Sequence, residues 1–275
     1  MSEYQYINLL HDLFDYGERR ETRNGSTLSL FGHHLTFDLS EGFPLLTTKK
    51  MFFKGIVTEL AWFLRGSTDV TELHKYNNRI WDLNTNDRNY DAGPVYGFQW
   101  RHFGAEYKDC KTDYKGKGVD QIAKLIELIK TDPTSRRMVL SAWNPLAQED
   151  MCLPPCHVMY QFYVKKNRLS CQMYQRSSDA FLGLPFNIAS TALLTHLLAH
   201  ETGLDVGSVR VVLGDLHLYE NHCGVANIQM DRKPYPLPKL QIKRQNLDGL
   251  WNLKYEDVEL VGYQSHGRLK AEMSV

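Results

Sequence analysis

The chain has 275 residues, 43% of them hydrophobic, and its 32 basic and 32 acidic side chains balance. That length and apolar content suit one large domain or two ordinary ones with a proper core, and the neutral balance argues against nucleic-acid binding through bulk charge. No apolar run reaches the roughly 20 residues of a membrane span, and the opening Met-Ser-Glu-Tyr-Gln-Tyr lacks the basic and apolar regions of a signal peptide, so a soluble, cytoplasmic protein is expected.

No internal repeat, low-complexity tract or Gly/Ser-rich linker divides the chain, so residues 1–275 are taken as a single domain. Tyr6, Leu9, Leu10, Leu13 and Phe14 form a helical stripe ended by Gly17. Residues 21–26 are a turn-rich loop, followed by strand-like runs at 27–31 and 35–39. Arg23 in that loop either holds an anion against backbone N–H groups or is simply solvated.

Residues 55–64 predict a helix stopped by Gly66, with one anomaly: Glu59 shares a face with Ile56, Trp62 and Phe63. A carboxylate there is costly unless it is used or paired. Burial would raise its pKa and suit it to proton transfer, the alternative being a side chain that bends out to solvent. Ile80-Trp81-Asp82 opens a polar loop through Asn89, and residues 93–101, dense in aromatics and turn formers, suit a pocket wall or a core segment. Residues 103–118 form a charged surface insertion, and 119–130 an amphipathic helix stopped by Asp132-Pro133. Ser135-Arg136-Arg137 then leads into a strand at 138–143, where adjacent arginines can grip a phosphate in this subunit or a neighbour, or stay solvated.

Leu153-Pro154-Pro155-Cys156-His157 is the most distinctive stretch. Two prolines fix φ and remove two donors, so the chain enters Cys156 stiff and extended, just before an alternating strand at 158–164. The thiol is either a nucleophile at a strand mouth or a half-buried structural cysteine. The five cysteines are irregularly spaced and do not form a disulfide framework, and Cys152, Cys156 and His157 lack the other half of a zinc site, so no metal is expected. A second strand at 168–175 is followed by Arg176-Ser177-Ser178-Asp179, which packs a guanidinium, two hydroxyls and a carboxylate into four residues. Residues 188–202, apolar nearly all round and closed by Gly203, predict a central buried helix with Asn187 as its N-cap. A strand at 209–213 delivers His217 and Tyr219 onto one face, as a sugar site or as packing at a sheet end, and residues 270–275 form a tail of the kind that frays.

Taken together, Gly-Pro-Val-Tyr-Gly-x-Gln-Trp-Arg (93–101), Pro-Pro-Cys-His (154–157), Gln-Arg-Ser-x-Asp (175–179), Leu-Pro-Phe-Asn-Ile-Ala-Ser (184–190) and Gly-Asp-x-His-x-Tyr (214–219) strongly resemble the thymidylate synthase family, in order and over essentially the whole chain. The 103–118 insertion is similar to that of eukaryotic-type or viral members. The resemblance implies an α+β fold, a large mixed β-sheet with flanking helices, in a homodimer with sheets packed back to back. It implies reductive methylation of dUMP by 5,10-methylenetetrahydrofolate, a cosubstrate, to give dTMP and dihydrofolate; from composition, no membrane partner is expected and the neutral charge gives no indication of nucleic-acid binding.

The same resemblance assigns roles. Cys156 would add to C6 of the uracil ring, helped toward thiolate by Arg176. Arg23, Arg176 and Ser177 would hold the phosphate, with Arg136 and Arg137 donated across the dimer interface. Asn187 would pair with the uracil amide edge, His217 and Tyr219 with the deoxyribose, and Asp179 would serve both the nucleotide and folate sites. Glu59 and Tyr96 would handle protons at O4 and C5. Lys49, Ile80, Trp81, Asn84, Leu182, Gly183 and Phe186 would form the folate site, with Met273 and Ser274 of the tail closing over it to exclude water. Two departures from the family pattern, Lys50 after Lys49 and a segment at 262–267 without the usual two prolines, predict looser anchoring of that tail. The alternatives are a nucleotide hydroxymethylase of the same fold, in which water quenches the last intermediate, and an inactive nucleotide-binding scaffold.

Overall fold

The structure, a computed structural model, describes residues 3–244 and 249–273. Helix α1 (Tyr4–Tyr16) leads into β1 (Glu18–Thr22) and β2 (Gly25–Asp38). Four helices follow: α2 (Phe53–Arg65), α3 (Thr71–His74), α4 (Asp82–Thr85) and α5 (Tyr96–His102). After α6 (Gln121–Thr131) come β3 (Val139–Ser141), β4 (His157–Lys165) and β5 (Arg168–Asp179). The long helix α7 (Gly183–Thr202) connects β5 to β6 (Asp205–Tyr219), and α8 (Cys223–Met230), β7 (Lys239–Ile242) and β8 (Val258–Val261) complete the order.

Among the described residues, six strands form one mixed sheet in the order β1-β2-β6-β5-β4-β3, and β7 pairs with β8 separately. Only the β5–β6 pair in the large sheet is parallel, and a parallel pair requires a crossover, which α7 supplies. As its all-round apolar pattern predicts, α7 is buried along Ile188, Leu193, Leu197 and Leu198. The left-handed glycines Gly66 and Gly203 cap α2 and α7 at the predicted stops. No helix among the described residues is long and apolar enough to cross a membrane.

Several sequence expectations change here. The runs at 27–31 and 35–39 are a single strand, because pairing with β6 resumes on both sides of Gly32. The loop expected at 21–26 shrinks to a two-residue turn: Thr22 pairs with Gly25, leaving Arg23 and Asn24 at the tip of the β1–β2 hairpin. The polar loop after Trp81 coils into α4 and a short 3-10 turn. Asn187 is not an N-cap. The helix begins four residues earlier, at Gly183, because Pro185 falls in the first turn, where a missing N–H costs nothing. The 103–118 insertion is closed at its base by the Phe103–Val119 bridge and pinned where Tyr107 and Tyr114 stack at 5.7 Å.

Residues 93–101 are both wall and core, since α5 carries Tyr96 into a cavity and packs Phe98 and Trp100 inside. A Cβ on Gly97 would lie 2.7 Å from the Phe63 carbonyl oxygen, so glycine is what allows α5 to approach α2 this closely. On the sheet, Leu140, Tyr160, Phe162 and Met173 are buried, whereas the alternating Val139, Met159, Tyr163 and Tyr174 are exposed.

Candidate active site

Cys156 stands just before β4, at the floor of a cavity of about 840 Å³. Its stiff lead-in is clamped from β5: Arg176 donates from Nε to the Pro155 carbonyl (2.8 Å) and from an Nη to the Pro154 carbonyl (2.8 Å). The Cys156 N–H donates to the Tyr96 hydroxyl at 2.7 Å, and the Arg176 N–H donates to the Cys156 carbonyl at 2.9 Å. With two prolines and four hydrogen bonds around it, the thiol is held in one place. Burial pushes that thiol up from its ordinary pKa; Arg176 and the Tyr96 hydroxyl pull it back without overcoming burial. The expected activation by Arg176 is therefore present in direction and outweighed in size.

Glu59 reaches the same cavity from α2. The residue is half-buried, and burial raises its carboxyl to about 7 against the opposing effect of the Trp81 indole, whose Nε1 donates to Oε1 at 2.8 Å. The Tyr96 ring is stacked at 4.1 Å on His157. Burial drives the Tyr96 phenol well above its usual pKa and pushes His157 down to about 3, so both are neutral near pH 7. The His157 Nδ1 is engaged by the Tyr160 hydroxyl at 2.7 Å.

The opposite wall comes from the ends of β5 and β6 and the start of α7. Asp179 Oδ1 accepts from the N–H groups of Phe181 (2.9 Å) and Leu182 (3.2 Å). Burial alone would raise this carboxyl, but the facing His222 imidazole and those two N–H groups hold it below the ordinary carboxylate range. Asn187, one turn into α7, accepts at Oδ1 from Gln175 Nε2 (3.0 Å). His217 and Tyr219 lie edge to face with ring centroids 5.3 Å apart, and both line the cavity.

The fold therefore brings together residues from eight separate stretches of sequence. Arg23, Glu59, Ile80, Trp81, Asn84 and Tyr96 reach the cavity from the first half of the chain. Cys156, Arg176, Ser177, Asp179, Leu182, Gly183, Phe186, Asn187, His217, Tyr219 and Met273 reach it from the second. A family model described as thymidylate synthase matches residues 4–275. The chain belongs to the thymidylate synthase family. It is 48% identical to the thymidylate synthase of varicella-zoster virus (strain Dumas), over 99% of this chain and 94% of the viral protein, and 48% identical to that of Homo sapiens, over 99% of this chain and 91% of the human one. It is also 49% identical to a bifunctional dihydrofolate reductase-thymidylate synthase of Paramecium tetraurelia, of whose length it spans 61%.

Three residues expected at the site, Arg136, Arg137 and Lys49, do not line this cavity. Arg136 and Arg137 are exposed between α6 and β3. Lys49 lies beneath the wall: its ammonium donates to the Phe181 carbonyl and sits 3.6 Å from that residue's ring centroid, and burial lowers it to about 7. Ser274 is outside the described residues. Conversely, Gln175, Asn24, Asp215 and Arg268 line the cavity without having been singled out. Gln175 had a signal, since it opens the Gln-Arg-Ser-x-Asp motif and alternates onto the face of Ser177 and Asp179. Arg268 had none. The segment at 262–267 is tied down without prolines: Tyr263 Oη donates to the Leu46 carbonyl (2.8 Å), His266 N to the Thr47 carbonyl (2.8 Å), and Arg232 to the Gly267 carbonyl (2.8 Å). Among the described residues no cluster of His, Cys, Asp and Glu is arranged to hold a metal, and all five cysteines are free.

Proposed function

We propose that this cavity carries out the reductive methylation of dUMP to dTMP. The observation that carries the reading is the convergence, in one cavity, of a fixed thiol and a carboxyl raised to about 7, opposite a carboxamide. Cys156 Sγ adds to C6 of uracil, which turns C5 into a nucleophile. Because burial keeps the thiol protonated, its proton passes to solvent in the open cavity as the S–C6 bond forms and the C5=C6 electron pair moves toward C5 and O4, with Arg176 stabilising the charge that develops on sulfur. Asn187 presents its NH₂ to uracil O4, and Oδ1 still has a lone pair for N3–H beside the bond from Gln175. Glu59 is the group able to give and take a proton near neutral pH, while Tyr96, which stays a phenol, relays protons rather than acting as a phenolate.

The residues also fit a folate. Trp81, Ile80, Leu182 and Phe186 offer flat and apolar surface, and an ionised Asp179 offers an acceptor for ring N–H groups. When bound, 5,10-methylenetetrahydrofolate supplies the one-carbon unit and the hydride and leaves as dihydrofolate. The test is to incubate the protein with dUMP and this folate and to identify both products. dTMP with dihydrofolate is expected; 5-hydroxymethyl-dUMP with tetrahydrofolate would replace the reading with a hydroxymethylase, and dUMP binding without turnover would replace it with a scaffold.

The active form is a homodimer. Supporting this, Val139, Met159, Tyr163 and Tyr174 leave an apolar sheet face exposed, and Arg136 and Arg137 are exposed beside it at the start of β3. A second copy packed back to back would cover that face and carry each arginine pair toward the phosphate of the other site. Mixing Arg136→Ala with Cys156→Ala subunits is expected to restore part of the activity, since one hybrid site keeps both groups; verified heterodimers without recovered turnover would refute the shared site.

A further inference from the structure

His222 is a buried titratable group beside the cavity to which no role has been assigned. It ends the short 3-10 turn Glu220–His222 ahead of α8, is fully buried, and lies between the rings of Phe181 (5.6 Å) and Tyr219 (5.5 Å). Its Nε2 is 2.7 Å from the carbonyl oxygen of Glu272 in the C-terminal tail. A carbonyl only accepts, so Nε2 carries a proton. Nδ1 has no hydrogen-bond partner among the described residues and is 3.8 Å from Asp179 Oδ1, an ion-pair separation rather than a hydrogen bond. In a neutral ring, Nδ1 would turn a bare lone pair toward a carboxylate; in an imidazolium it turns an N–H toward it.

We propose that His222 is a positioning residue for the folate, joining the tail at Glu272 to the Asp179 carboxylate through one protonated ring. This rests on the reading that Asp179 and the tail hold the folate. Ala271 and Met273, the neighbours of Glu272, both line the cavity, so fixing the 272 carbonyl fixes the tail where it faces the ring site. The same ring sets the charge opposite Asp179, so tail position and carboxylate orientation are established together.

The groups facing the imidazole settle the pH dependence. Burial opposes its protonation and so does the nearby Lys49 ammonium, but Asp179 and the Glu272 carbonyl outweigh them and raise its pKa above the ordinary value. A group raised in the folded state contributes fully at low pH and loses its contribution as pH rises through the folded value. The tether is therefore strongest on the acid side and weakens as the medium becomes alkaline.

The test compares His222→Leu, which loses both contacts, with His222→Gln, whose amide can still donate to the Glu272 carbonyl but cannot carry charge. In the Leu variant, trypsin should release the peptide after Lys270 several-fold faster, and the KM for 5,10-methylenetetrahydrofolate should rise about tenfold or more, as expected for losing a bond to a charged group. The Kd for dUMP should stay within about twofold, which shows that the variant is folded. The Gln variant should recover tail protection but lose the alkaline rise in folate KM that the parent shows. A Leu variant that binds dUMP normally while tail cleavage and folate KM both stay at parental values overturns the proposal, as does a Gln variant cut as fast as the Leu variant. The proteolysis needs no turnover, so a parent that makes no dTMP defeats the functional reading while tail protection still decides the tether.

Discussion

Replacing Cys156 with serine is expected to leave dUMP binding within about threefold of the parent and to reduce turnover by roughly 10⁴-fold or more, the scale on which deletion of a nucleophile acts. The substitution is nearly isosteric, and everything holding the residue is backbone: its N–H bonds to Tyr96, its carbonyl accepts from Arg176 N–H, and Arg176 grips the two preceding carbonyls. The fold and the position of the Arg176 guanidinium should therefore survive. What disappears is an atom able to reach the anion. The thiol is already raised by burial, and Arg176 can only partly offset this; an alcohol starts several units higher still, a gap that the same cation cannot close. Intact-mass measurement in the presence of dUMP and the folate should find a covalent nucleotide adduct on the parent and none on the variant. Parental turnover in Cys156→Ser would remove Cys156 from the mechanism.

Legibility in the sequence followed the range of the interactions. Glu59 could be recognised because the signal is local: a carboxylate three or four residues from Ile56, Trp62 and Phe63 must share their environment whatever they pack against. Cys156 was marked by its two prolines, and α7 by apolar residues on every side. Helix and strand ends failed where one residue fits two roles. Asn187 is a plausible N-cap until Pro185 is recognised as a first-turn residue, and the break at Gly32 does not end β2 because β6 continues to pair beyond it. What stayed hidden depends on the tertiary fold. Nothing near Lys49 says that its ammonium will end under the Phe181 carbonyl, and nothing near His222 says that positions 179 and 272 will meet it from opposite directions in the chain. The proposed roles of Arg136 and Arg137 require a second copy, which the family resemblance implies but no spacing or burial pattern within one chain conveys.

Replacing Glu59 with glutamine should separate a carboxyl kept for proton transfer from one kept for structure. Trp81 Nε1 can still donate to an amide oxygen, so the Glu59 contact at 2.8 Å has a neutral equivalent. Turnover is expected to fall about 10²–10⁴-fold, the range for losing a general acid–base group, with dUMP affinity little changed, and the ionisation near pH 7 should vanish from the pH–rate profile. Stability should move the other way. The folded protein holds the Glu59 proton to about 7 whereas an unfolded glutamate loses it near 4.5. Between these values the folded state binds more protons, so the parent loses stability as pH rises, by up to about 3 kcal/mol once both states are ionised. The glutamine variant has no such proton and should gain relative to the parent at pH 9, as read by denaturant midpoints at pH 5 and pH 9. An enzyme less active and more stable at high pH is what burial for chemistry predicts. A variant that turns over normally would reduce Glu59 to a hydrogen-bond partner of Trp81, and one destabilised at both pH values would make its role structural.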